Sequence, residues 1–157
     1  LLPTANAVVD HQARALARRV DFLSVGSNDL TQYLLAVDRN NARVADLYHS
    51  LHPAVLQALQ EVATAAMAEG KKVGICGALA GDPEGAVLLL AMGYDMLSMN
   101  ATSLPKVKKA LRNVSLVEAR ELLAAALQRE DPAEIHALLE RFLAEHGMER
   151  FIHNPVD

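Results

Sequence analysis

Apolar positions along the chain fall into two alternating spacings. Residues 7–19 carry Val8, Val9, Ala13, Leu16 and Ala17 near the helical period, and Val20 to Val25 is a short apolar run that stops at Gly26, as a strand would. Ser27-Asn28-Asp29 offers N-cap chemistry and predicts a helix from Leu30 to Val37. Asp38-Arg39-Asn40-Asn41 is polar and turn-like, and a short helix is expected over 44–48. Pro53 just inside the start and Gly70 just past the end frame a long helix, with Leu56, Leu59, Val62 and Ala66 as its buried stripe. Lys72 to Cys76 reads as a second strand closed by Gly77. Asp82-Pro83 opens a helix that Gly93 ends, and its Leu88-Leu89-Leu90 run is core. Residues 95–99 form a third strand, followed by a helix with Pro105 in its first turn. Ser115 with Glu118, and Asp131 with Glu134, have capping-box spacing and predict helices over 116–129 and 132–146. Gly147 ends the second of these. The division expected is 1–147 as one domain and 148–157 as a frayed tail.

Three strands, each followed by a helix, predict an α/β fold with a parallel sheet. Three strands do not close an eight-stranded barrel, so a sheet edge and apolar faces are expected to lie open. Composition narrows the class. Of the 157 residues 52% are hydrophobic and 22% charged, enough to bury a core. Aromatics are 4% with no Trp, so Ala, Leu, Val and Met must fill that core. The net charge is −4, and the densest basic run is Lys106, Lys108 and Lys109, interrupted by Val107. Helical spacing spreads those three over a surface face, which argues against a nucleic-acid partner. No apolar run reaches the ~18 residues of a membrane span, and no signal peptide opens the chain. A lone Cys76 excludes an internal disulfide framework and fits a reducing compartment. The expectation is a cytoplasmic protein. The first residues, Leu1 and Leu2, read as the start of a piece of something longer.

In parallel α/β architectures ligands gather at the C-terminal ends of strands. The three tips are Gly26-Ser27-Asn28-Asp29, Cys76-Gly77 and Met99-Asn100-Ala101-Thr102. Asp29 is a carboxylate suited to Mg2+, and Asn28 can donate to a phosphate or carboxylate; the alternative is that both only cap the next helix. Cys76 can exchange a proton, or it is a small buried hydrophobe. Arg39 either clamps a phosphate or sits solvated on the surface. His52, ahead of Pro53, is expected to cap or pack. His11, His49, His136, His146 and His153 show no ligand spacing and receive no role.

The run from Phe22 to Asn41, FLSVGSNDLTQYLLAVDRNN, closely resembles the signature of enzyme I, the phosphoenolpyruvate–protein phosphotransferase. So do Leu51-His52-Pro53-Ala54-Val55-Leu56, Val73-Gly74-Ile75-Cys76-Gly77, Ala80-Gly81-Asp82-Pro83 and the run from Ser98 to Lys108. The first and last runs resemble its nitrogen-regulatory branch in wording, and the match covers about residues 13–127. The resemblance implies strands six to eight of a phosphoenolpyruvate-binding (β/α)8 TIM barrel, followed by C-terminal helices. It implies Mg2+ bound by Asp29, phosphoenolpyruvate held by Asn28, Asp29 and Arg39, and Cys76 as the catalytic acid that protonates the enolate to pyruvate. Its implied partners are a phospho-histidine domain N-terminal to this region, a histidine phosphocarrier protein and a second copy in a homodimer. Pyruvate phosphate dikinase and phosphoenolpyruvate synthase are alternatives, disfavoured by Ala36-Val37-Asp38-Arg39-Asn40 and Leu51-His52-Pro53.

Two positions depart from the family pattern. Counting back without a gap puts Ala5 where the family has a second metal-binding Glu, with Ala7 in place of its Pro. Ala78 stands where the family has Glu directly after Cys-Gly. A lost carboxylate weakens a two-carboxylate Mg2+ site, and Ala78 alters the setting of Cys76. A second hypothesis therefore stands beside the enzyme: a degenerate barrel remnant kept for dimerisation or regulation. No phosphotransfer is expected from this chain alone.

Overall fold

A computed structural model describes residues 9–148. The order is α1 (Val9–Ala17), β1 (Phe22–Gly26), α2 (Ser27–Leu35), a 3-10 turn (Ala45–Leu47), α3 (Pro53–Ala68), β2 (Lys72–Cys76), α4 (Ala78–Gly81), α5 (Pro83–Met92), β3 (Met96–Ser98), α6 (Leu104–Asn113), α7 (Leu116–Ala126) and α8 (Pro132–Glu145). The three strands form one parallel sheet in chain order.

Each strand alternates between two environments, as the pleat requires. Leu23 and Val25 of β1 and Val73 and Ile75 of β2 are buried, and Leu97 of β3 packs against the same core. This face lies on the helical layer, into which α3 turns Leu56, Leu59, Val62 and Ala66, the stripe read from sequence. The other face carries Phe22, 39% exposed, and Met96, 51% exposed. No described helix covers it, which is the open apolar surface the strand count predicts.

The helices end largely where their sequence signals lie. His52 caps α3 by accepting the Ala54 N–H at Nδ1, 3.2 Å. Ser115 and Glu118 close both arms of the capping box of α7, at 3.2 and 2.8 Å. The second box is half formed. Asp131 accepts the Ala133 N–H at 2.8 Å, while the Glu134 carboxylate turns toward Arg129. The third strand starts at Met96 rather than 95 because the Asp95 side chain caps the start of β2, accepting the Val73 N–H at 2.9 Å and pairing with Lys72. α4 has no counterpart in the sequence reading. Its N-cap is Gly77, which leaves no polar start signal. Met148, assigned to the tail from sequence, is instead fully buried, its N–H bonded to the Leu143 carbonyl at 3.0 Å. The rest of that tail, with Ala5, Ala7 and His153, lies outside the described residues.

Candidate functional site

Register brings the three strand tips level. Gly26 pairs with Cys76, and Cys76 with Ser98. Cys76 is exposed. The buried-hydrophobe reading of this thiol is therefore corrected, and strand alternation is the reason. Val73 and Ile75 take the helical face, so Cys76 falls on the open face between two small neighbours.

The N-cap reading of Ser27-Asn28-Asp29 is also corrected. Gly26 is the N-cap of α2 and no side chain caps it, so all three residues lie inside the first turn. Asn28 reaches across to the next strand tip instead. Its Oδ1 accepts the backbone N–H of Ala78 at 3.0 Å and faces the Tyr48 hydroxyl at 3.4 Å. The first tip can come this close because Gly77 has no side chain. With φ of 112°, a Cβ there would collide with Ser27 Oγ and press on the Asn28 amide.

Tyr48 links the remaining candidates. Burial pushes its hydroxyl above the usual phenol range, and a hydrogen bond with Thr31 opposes this. The Arg39 guanidinium pulls the same hydroxyl down and the Asp29 carboxylate pushes it up. Asp29 and Arg39, separated by a helix and a turn in sequence, thus both act through charge on one phenol, whose hydroxyl faces Asn28. Arg39 is held there through its backbone, whose N–H donates to Gln32 Oε1 at 3.2 Å, leaving an exposed side chain. Sequence gave no signal for Tyr48 beyond an aromatic in a polar loop. Ala78, at the position of the family's Glu, is exposed and contributes its backbone N–H.

A second ionisable group lies further round the molecule. Glu84, buried in α5, has Oε2 at 2.8 Å from His136 Nδ1, and Glu140 Oε1 lies 3.4 Å from Nε2 of the same ring. These three groups converge closely enough to consider a metal. Both ring nitrogens already face a carboxylate, however, so reserving either for an ion leaves one carboxylate beside it. The geometry is that of an imidazolium held from both sides. Sequence left His136 without a role because its partner is 52 residues away.

A parallel α/β layer with an amide, a carboxylate and a thiol at the C-terminal ends of its strands carries polar groups where ligands of such folds bind. Residues 3–116 match the family of the PEP-utilising enzyme, PEP-binding domain, and the chain belongs to that family. It is 48% identical over 148 residues, 94% of the chain, to the phosphoenolpyruvate-protein phosphotransferase of Haemophilus influenzae, covering 25% of that protein. It is 47% identical over 133 residues, 85% of the chain, to the phosphoenolpyruvate-dependent phosphotransferase system protein of Escherichia coli K12, covering 18%. The multiphosphoryl transfer protein of Escherichia coli O6:H1 is 45% identical over 147 residues, 94% of the chain, with 17% covered. The chain thus spans a quarter or less of the length of these relatives.

Proposed function

We propose that the chain is the phosphoenolpyruvate-binding portion of a phosphoenolpyruvate–protein phosphotransferase, contributing strands six to eight of its barrel. The enzyme moves the phosphoryl group to a histidine of its own N-terminal domain and on to a histidine phosphocarrier protein, releasing pyruvate. It works as a cytoplasmic homodimer. The observation that carries this reading is the level register of the strand tips, which sets Cys76 beside Gly26 and lets Asn28 of the next helix reach the Ala78 N–H.

Each group has a task that its chemistry permits. Arg39 neutralises charge on the transferring phosphoryl group, and the amide of Asn28 orients the ligand. The Asp29 carboxylate is a hard oxygen donor at an exposed tip, which fits Mg2+, an ion bound through one or two carboxylates plus substrate phosphate oxygens. Mg2+ would add further positive charge beside the phosphoryl oxygens. As the histidine nitrogen takes the phosphorus, the P–O bond breaks and its electron pair forms the enolate. The Cys76 thiol then donates its proton to the enolate carbon. An exposed thiol between Gly26 and Ser98 leaves room for that approach.

Ala78 favours a second reading, a catalytically degenerate module for dimerisation or regulation, because the β2 tip lacks the carboxylate of the family pattern. Thermal melts of the full-length protein with Mg2+ and phosphoenolpyruvate test the site. At ligand about 100-fold above Kd the expected stabilisation is about 2.7 kcal/mol, and Asp29→Ala removes it. No shift in the unmutated protein overturns the enzyme reading and selects a degenerate module that has lost the ligand. A shift without pyruvate release selects a degenerate module that keeps the ligand for regulation.

A further inference from the structure

Three carboxylates surround one imidazole where α8 lies against α5. Glu84, in the first turn of α5, is 7% exposed, and its Oε2 stands 2.8 Å from Nδ1 of His136. Glu140, one turn further along α8, puts Oε1 3.4 Å from Nε2 of the same ring. Asp82, the N-cap of α5, accepts the Gly85 N–H at 3.0 Å and adds its charge to both Glu84 and His136. The charges that act on Glu84 come from Asp82, His136 and Glu140, and of these only His136 can be positive.

A lysine in place of His136 would make this a permanent ion pair, whereas an imidazole makes it conditional. Protonated, the ring donates from both nitrogens, to Glu84 and to Glu140. Neutral, it has one N–H for two carboxylates, so one of them faces a lone pair and no cation stands among the three acids. The cluster also sits at a joint. Beside His136 on α8, Ile135 and Leu139 are fully buried. His136 itself borders a cavity of about 810 Å3, with Asp131 and Ala133 of the same helix end and Tyr48, His49 and His52 of the loop opposite. Asp131 is engaged by the Ala133 N–H and His52 Nδ1 by the Ala54 N–H. The first turns of α8 are thus cavity wall on one side and partner of α5 on the other.

We propose that Glu84, His136 and Glu140 form a proton-operated latch, which clamps the first turns of α8 onto α5 while the imidazole is charged and lets them lift when it is neutral. The direction with pH follows from the surroundings of each group. Burial pulls His136 down, but the Glu84 hydrogen bond and the charges of Glu84, Glu140 and Asp82 outweigh it, so the ring keeps its proton above the usual histidine range. Glu84 is pushed up to about 7, by burial first and by the Asp82 charge next, so it ionises as pH rises through neutrality. Rising pH therefore withdraws the cation and charges the acid beside it, and both changes work against the clamp. The latch needs no ligand and stands independently of the phosphoenolpyruvate reading.

The test is amide hydrogen exchange of the full-length protein at about pH 6 and about pH 8.5, corrected for the intrinsic pH dependence of exchange. The quantity read is the protection of the α8 amides relative to those of α3, a ratio in which a change in global stability cancels. That ratio is expected to fall about tenfold between the two pH values. Glu84→Gln, which cannot ionise, should hold it within about threefold, and so should His136→Lys, whose cation does not titrate in this range. An unchanged ratio in the unmutated protein overturns the latch, and so does an equal fall in both variants, which assigns the effect to other groups. Where the variants fail to fold, the ring 1H–13C shifts of His136 in histidine-labelled unmutated protein decide. A ring that is charged at about pH 7 and loses its proton together with the α8 protection supports the latch, and a ring already neutral at about pH 6 overturns it.

Discussion

A single methyl group added at Gly77 would meet Ser27 Oγ and sit on a backbone with φ of 112°, where side chains are strained. Gly77→Ala is therefore expected to cost roughly 1–3 kcal/mol, read from the midpoint of denaturant unfolding. The double change Ser27→Ala, Gly77→Ala should recover the collision but not the φ strain, so the two substitutions couple. At this scale the sequence was legible in kind and ambiguous in role. Asn28 and Asp29 belong to the residue types that cap helices and also to those that hold ligands, and only position in three dimensions separates the uses. Cys76 read as core because free thiols usually are, and strand alternation put it outside. Tyr48 was invisible, since its relation to Asn28 spans 20 residues of sequence, across α2 and the 3-10 turn.

Between elements, the contact of α8 with α5 turns on Glu84 and His136. Burial raises the Glu84 carboxyl from 4.5 to about 7, the Asp82 charge adds to this, and His136 opposes it. Burial alone would lower His136, but the Glu84 hydrogen bond and charge, with Glu140 and Asp82 beyond, raise it. Both shifts mean that the folded chain holds more protons than the unfolded one. The contribution of Glu84 to stability is thus full below pH 4.5 and falls as pH rises toward about 7, where Glu84 ionises in the fold. Glu84→Gln should flatten that fall, which is on the order of 2 kcal/mol. Melting temperatures across this range check it, and an unchanged slope in the variant would assign the pH dependence elsewhere. Helix ends were readable from caps: Pro53, Gly70, Gly93 and Ser115 all mark real boundaries. Glu84 was not, because an acid in a first turn ordinarily faces water.

For the molecule as a whole, the period-2 and period-3.6 runs gave three parallel strands and their helices in order, because each strand is short and each helix carries a clear apolar stripe. What covers the open face, where Phe22 and Met96 stand exposed, was not legible from 157 residues. A parallel sheet is stable when both faces are covered, and a (β/α)8 barrel closes only on eight strands. Residues 1–157 alone are accordingly expected to release no pyruvate from phosphoenolpyruvate and Mg2+ in a coupled assay. Release by the isolated chain would show that three strands suffice.

The bond from the Ala78 N–H to Asn28 fixes more than the distance between two tips. A backbone amide only donates, so the oxygen of Asn28 must face it, and the NH2 is the end that remains for a ligand. One side chain is both a rivet and a sensor. Truncating it loosens the frame and blinds the site together, so a dead Asn28→Ala enzyme would not distinguish a missing contact from a shifted scaffold. Asn28→Asp, which exchanges NH2 for oxygen while keeping an acceptor for Ala78, separates the two jobs by one atom.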